Sequence, residues 1–258
     1  MGPLKYDVDR VHDAIEGAGT KEAILDELIL DLTPEDVGLL KYAYAQKYGK
    51  SLLKEIQGDL SGNVRKLFTK ALDETRRQTS YADNTATAEK KDLVDPAVDA
   101  KALYKGGAAR AGTNEDTFYT ILTSRRQDHL MQVCQIYLQE HKVHLSQTIK
   151  SEFSGHDQCA LLHIVRGVEP SKKYSEVNPQ ALRDAELFED TMAGLGTKDA
   201  LLVMRTLRAH WCRPRMDAIC AAYLRIHEKT LARRVQGETS GALEDLLVAL
   251  IRGPPAGS

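Results

Sequence analysis

No stretch of the 258-residue chain stays apolar for the roughly 20 residues that a membrane-spanning helix needs. Residues 1–20 also lack the basic-then-apolar design of a signal peptide, so any membrane role is expected to be peripheral. The four cysteines, at 134, 159, 212 and 220, form no CxxC pair. That spacing argues against a zinc ribbon, a thioredoxin-type site and a secreted disulfide framework, and predicts free, buried thiols in a reducing compartment. Charge of one sign is missing too. With 35 Lys+Arg against 37 Asp+Glu and a formal net charge of −2, no basic block offers the counterion-releasing face of a nucleic-acid binder. There is no P-loop, no GxGxxG cradle, no nucleophile elbow and no Cys/His signature, which leaves a hydrolase or nucleotide enzyme without a supporting constellation. What is present is 42% apolar content, enough for a chain of this length to bury a real core.

Three blocks share one layout. Gly19-Thr20 is followed 24 residues after the threonine by Tyr44 and 41 residues after it by Ser61-Gly62. Gly112-Thr113 leads to Tyr137 and Ser154-Gly155 at the same offsets, and Gly196-Thr197 to Tyr223 and Ser240-Gly241 at 26 and 43. The Tyr-to-Ser interval is 17 in all three, so the two extra residues of the third block fall before Tyr223, and the turn around Ala209–Pro214 is the expected place. The blocks are read as 4–75, 98–169 and 180–253. A polar linker over 76–97 separates the first two, and Pro170, Lys172-Lys173 and Pro179 join the last two more tightly.

Each block reads as a string of about five short helices, making the fold class all-α. In the first block Val8, Val11 and Ile15, then Leu25, Leu28 and Ile29, then Val37, Leu40 and Tyr44 recur at helical intervals. Leu52, Leu53 and Ile56 mark a fourth helix, and Val64, Leu67, Phe68, Ala71 and Leu72 a fifth. Thr33-Pro34-Glu35-Asp36 combines a hydroxyl N-cap, a proline at N1 and acids in the first turn. Thr20, Thr113 and Thr197, and likewise Ser61, Ser154 and Ser240, are expected to cap the helices that follow them.

An acid precedes each Ser-Gly pair: Asp59, Glu152 and Glu238, at 40, 40 and 42 residues from the second glycine of each Gly-Thr turn. Calcium takes six to eight oxygen ligands and accepts backbone carbonyls, so a glycine-rich turn plus one distant carboxylate is a plausible divided site. With one carboxylate the site is weak and partly open, leaving a position for a lipid phosphate. The plain alternative is a helix–helix connector with an acid serving a helix N-terminus. Repetition at nearly fixed spacing favours metal.

With these residues the blocks resemble annexin repeats, matching Gly-x-Gly-Thr followed about 40 residues later by Asp or Glu. Leu25, Tyr44, Tyr48-Gly49, Leu52 and Asp59-Leu60-Ser61-Gly62 fall where such a repeat has them, and the likeness runs from about Tyr6 to Gly253. The resemblance implies five-helix repeats in a curved, here incomplete, disc. It also implies a cytoplasmic protein that attaches to the cytosolic face of membranes, through anionic phospholipids such as phosphatidylserine, when Ca2+ rises. It implies no enzyme activity. The implied ligands are the carbonyls of Ile15, Gly17 and Gly19 with Asp59, those of Gly107, Arg110 and Gly112 with Glu152, and those of Met192, Gly194 and Gly196 with Glu238. The longer middle loop, from Gly107 to Gly112, and the long linker before it assign the blocks to repeats two, three and four of the family.

Departures carry expectations of their own. Annexins usually have four repeats, and the chain shows no first repeat, which would leave an apolar face on the third block as a surface for homo-oligomeric assembly. Glu16 stands where relatives often have Lys or Arg, and Ala111 where some have a membrane-inserting tryptophan, so each weakens membrane contact. The alternative function is a calcium-independent helical-repeat scaffold. His141 and His144, spaced i,i+3, suggest a metal pair or, more plainly, a solvated helix end. The lone Trp211 reads as a corner plug, and Arg205, Arg208, Arg213 and Arg215 around it as a solvated basic corner or a phosphate contact.

Overall fold

The helical intervals fold as helices. The computed structural model describes residues 2–16, 21–73, 81–82, 91–92, 94–107, 112–194 and 196–253. Fifteen helices lie among the described residues, five to a block. The first block comprises α1 (Pro3–Ile15), α2 (Glu22–Ile29), α3 (Pro34–Tyr48), α4 (Leu52–Asp59) and α5 (Gly62–Ala71). The second comprises α6 (Pro96–Gly106), α7 (Glu115–Ser124), α8 (Gln127–His141), α9 (Leu145–Glu152) and α10 (Gly155–Arg166). The third comprises α11 (Pro179–Met192), α12 (Asp199–His210), α13 (Arg213–His227), α14 (Leu231–Gln236) and α15 (Gly241–Arg252). The all-α class holds. Among the described residues strand pairing is confined to β1 (Tyr81–Ala82) against β2 (Lys91–Asp92), antiparallel with Tyr81 opposite Asp92, inside the stretch read as a linker.

The apolar stripes are the cores. Val8, Val11, Leu25, Leu28, Val37, Leu40, Leu52 and Ile56 are buried, and so are the repeated tyrosines Tyr44, Tyr137 and Tyr223. Each tyrosine hydroxyl finds a partner, as a buried phenol requires. Tyr44 meets His12 Nδ1 at 3.1 Å, Tyr137 meets Thr148 Oγ1 at 2.9 Å, and Tyr223 donates to Glu189.

Two compact units divide the chain, Met1–Glu169 and Pro170–Ser258. Within the first, α5 packs on α7 and α10 on α2, joining the first two blocks. Lys70 Nζ bonds Asp116 at 2.8 Å and Thr120 Oγ1 at 3.0 Å, and His156 Nε2 meets Asp26 at 3.1 Å. The second unit has a core of its own, including Phe188, Leu202, Met216, Tyr223 and Leu247.

Several local expectations are corrected. The two extra residues of the third block lengthen a helix instead of a turn: α12 has 12 residues against 10 in α7, and in both cases two residues lead to the next helix. Ser61, Ser154 and Ser240 do stand at N-caps, but their side chains make no capping bond. The chain is turned instead by the glycines after them, Gly62, Gly155 and Gly241, at φ +56°, +68° and +62°. Side-chain-bearing residues avoid that left-handed region. Of the four free thiols only Cys134 is buried, while Cys159 and Cys212 are exposed and Cys220 lies between. Burial pushes the Cys134 thiol up, which keeps it protonated and unreactive.

Candidate calcium-binding loops

In each block a backbone bond among the described residues closes the connection after the first helix. Lys21 N–H donates to the Ala14 carbonyl at 2.9 Å, Asn114 N–H to Gly106 at 2.7 Å, and Lys198 N–H to Thr191 at 2.9 Å. The loops so pinned begin at Ile15, Gly107 and Met192, the first of the three carbonyls expected in each block. Gly17, Gly19 and Arg110 lie outside the described residues, as do Thr20 and Ala111. Gly112 and Gly196, each before its threonine, take φ +83° and +84°, so the glycine of each of these Gly-Thr turns is set by backbone angle.

Thr113 and Thr197 do not cap helices. Helices α7 and α12 start after Asn114 and Lys198, and the threonine hydroxyls reach instead to the distant acids. In the middle block Thr113 Oγ1 donates to Glu152 Oε2 at 2.8 Å and lies 3.4 Å from the Glu152 carbonyl. Gly107 packs on the same residue: a Cβ built on it would stand 3.5 Å from Glu152 Cγ, 3.3 Å from Thr148 Cγ2 and 3.1 Å from the Phe118 ring. Thus Gly107, Glu152 and the Gly112-Thr113 turn come together at the C-terminal ends of α6 and α9. Glu152 Oε1 has no hydrogen-bond partner among the described residues, so the half-buried carboxylate has capacity for a cation. One carboxylate among carbonyls is a hard-oxygen donor set, and it fits calcium. Among the described residues no three His, Cys, Asp or Glu side chains cluster as a metal site, so the carbonyls must supply most of any ligand set.

The third block brings the same elements together with one addition. Thr197 Oγ1 lies 3.3 Å from both the carbonyl and Oε2 of Glu238. Arg234, one helical turn before Glu238, bonds Glu238 Oε1 through Nη1 and the Met192 carbonyl through Nη2 at 2.7 Å. It also holds Glu189, with Nη2 to Oε1 at 3.1 Å and Nε to Oε2 at 3.2 Å. These bonds, Glu189's foremost, push the guanidinium further up. Burial raises Glu189, but the bonds from Arg234 and Tyr223 outweigh it and hold its carboxyl below the usual value. Two ligands expected for this loop, Met192 and Glu238, are therefore engaged by a cation from the chain itself. Sequence reasoning missed Arg234, although the signal was available: four residues before the acid stand Glu55, Thr148 and Arg234 in the three blocks.

In the first block Asp59 ends α4 in an exposed position, and Ile15 ends α1. The other candidates resolve into packing and pairing. His141 ends α8, Lys142 after it turns left-handed at φ +59°, and His144 begins the next helix, so the two histidines share no helix face. Neither is a solvated end. The His141 ring stacks on Tyr104 at 3.7 Å between centroids, and His144 is buried with Nδ1 3.5 Å from Glu169. Arg213 bonds Asp217 and the Ile251 carbonyl, the latter at 2.9 Å, while Arg215 pairs with Asp184 at 2.8 Å and Arg205 bonds the Leu187 carbonyl. These arginines are engaged by main-chain carbonyls and acids of the same chain. Trp211 is half-buried at the C-terminus of α12.

Comparison with known proteins agrees with this architecture. The Annexin family model matches residues 6–71, 98–164 and 183–250. Annexin C1 of Cryptococcus neoformans var. grubii is 38% identical over 251 residues, which is 97% of this chain and 50% of that protein, so the chain spans about half its length. Annexin A4 of Mus musculus is 32% identical over 250 residues, 96% of this chain and 72% of the relative. The solved structure of a point mutant of annexin A8 with an intact N-terminus superposes with a TM-score of 0.81 at 28% identity, covering 98% of this chain and 73% of that one. With three matched repeats over most of its length, the chain belongs to the annexin family.

Proposed function

We propose that this chain binds anionic phospholipid membranes, such as those containing phosphatidylserine, in response to calcium, and that it acts by binding and not by catalysis. The observation that carries the reading is the meeting of Gly107, Thr113 and the half-buried Glu152 carboxylate. Gly107, Arg110 and Gly112 would offer carbonyls there, and Ile15, Gly17 and Gly19 would do so beside Asp59 in the first block. Calcium, when bound, would supply the positive charge that joins loop oxygens to a lipid phosphate. The chain's own residues prepare that state. Thr113 orients Glu152, and the Asn114-to-Gly106 bond fixes the loop on the end of α6. A near-neutral chain has little reason to meet an anionic surface without a cation between them. Several weak sites on one protein add by multivalency. By this reading the protein works in the cytoplasm, on the cytosolic membrane face.

Calorimetric titration with calcium tests the site. Glu152→Gln is expected to weaken the middle site by roughly tenfold or more, since loss of even an indirect support of a metal ligand costs that much. Equal affinity in the variant and the parent would remove Glu152 from the site, and a parent that binds no calcium would favour the calcium-independent scaffold.

A further inference from the structure

We propose that Arg234 is a built-in cation of the third loop, holding the Met192 carbonyl and the Glu238 carboxylate together so that this loop takes no calcium ion. The inference rests on the reading that the equivalent loops of the first two blocks are calcium sites. Every kind of donor on the guanidinium is committed: Nε to Glu189, Nη1 to Glu238, and Nη2 to both Glu189 and the Met192 carbonyl at 2.7 Å. The Arg234 side chain is only 20% exposed and Glu238 only 24%. A planar fork with fixed donor directions suits this arrangement better than a flexible ammonium.

A metal entering here would have to take Met192 and Glu238 from Arg234, and the displaced guanidinium would stay beside it. Arg234 is anchored to Glu189 on α11 by further bonds that the metal would not replace. A dication and a guanidinium at contact distance repel, and half-burial leaves little water to screen them. Neither of the other blocks has a cation at this position, where Glu55 and Thr148 stand. Thr148 is occupied with the Tyr137 hydroxyl at 2.9 Å, and Glu55 pairs with Lys50 at 2.8 Å. The consequence is a division of labour: the third loop is closed at any calcium level, while the middle loop keeps a carboxylate oxygen available.

Calcium titration of the full chain, counting bound ions, tests this with two variants and their combination. Glu238→Gln is expected to bind the same number of ions as the parent with affinity changed less than twofold. Arg234→Ala is expected to bind one more ion, and Arg234→Ala with Glu238→Gln to lose it again. Loss of an ion in Glu238→Gln overturns the proposal, as does a folded Arg234→Ala that gains none. Should Arg234→Ala fail to fold, Glu238→Gln decides alone. A parent that binds no calcium beside an Arg234→Ala variant that binds one would refute the middle-loop reading and leave this inference standing. The reverse failure appears as an ion lost with Glu238.

Discussion

Thr113 turns a helix-capping residue type to another use. Its hydroxyl fixes Glu152 Oε2 at 2.8 Å, so Thr113→Val should lower calcium affinity about tenfold while Thr113→Ser restores it. A loss not rescued by serine would mean that packing of the methyl group matters more than the hydrogen bond. The spacing in the sequence identified Glu152 but not its partner, because a threonine before a helix is ordinarily read as a cap. Arg234 was hidden for a similar reason: an Arg four residues before a Glu on a helix is an everyday surface pair. Only the folded chain shows that its fork also reaches a carbonyl at the end of α11. A second residue-scale test concerns the ends of α3, α8 and α13, where Gly49, Lys142 and Glu228 take φ +65°, +59° and +54°. Glycine bears that conformation without strain, so Lys142→Gly and Glu228→Gly should each stabilise the protein by about 1 kcal/mol in chemical denaturation. Unchanged or lowered stability would show that the lysine and glutamate side chains offset the strain.

Elements were legible wherever an apolar stripe faced a core. The five helices of the first block follow the intervals of Val8, Leu25, Val37, Leu52 and Leu67 because each stripe is buried. Details at helix ends were less legible, since the Ser-Gly pairs work through the left-handed glycine and not through the hydroxyl. Gly155→Ala and Gly241→Ala should therefore cost about 1–2 kcal/mol although the added methyl meets no clash, with Asp157 Oδ1 at 3.9 Å in the first and open space in the second, whereas Ser154→Ala should cost little. Turns tolerate length changes most easily, so a turn is the expected place for the two extra residues before Tyr223. They are taken up as half a turn of α12. The packing of α10 on α2 carries a pH dependence. Burial lowers the His156 pKa, but its bond to Asp26 prevails and raises it above the ordinary value near 6.5. Protonated His156 therefore favours the folded state below that value, and this contribution is lost as pH rises through the folded pKa. Asp26, raised by burial, works in the same direction at lower pH. The melting temperature should thus fall as pH rises above about 6.5, and His156→Gln should flatten the slope. An unaltered slope in the variant would assign the dependence elsewhere.

At the scale of the whole molecule, the threefold repeat supplied the family and the all-α class directly, because five-helix repeats and their loops leave residues at fixed offsets. It did not reveal that the repeats differ in how they complete their loops. Offsets report backbone geometry, whereas the difference lies in one side chain, Arg234, that bonds two carboxylates and one main-chain carbonyl at once. The central claim is that charge from calcium, seated by the middle loop, brings a near-neutral chain to an anionic membrane. Its most direct test is co-sedimentation of the chain with phosphatidylserine vesicles with and without calcium, together with the same chain carrying Asp59→Asn, Glu152→Gln and Glu238→Gln. The account predicts binding that appears with calcium, reverses with chelator and is lost in the triple variant. Binding indifferent to calcium, or undiminished in that variant, would contradict it.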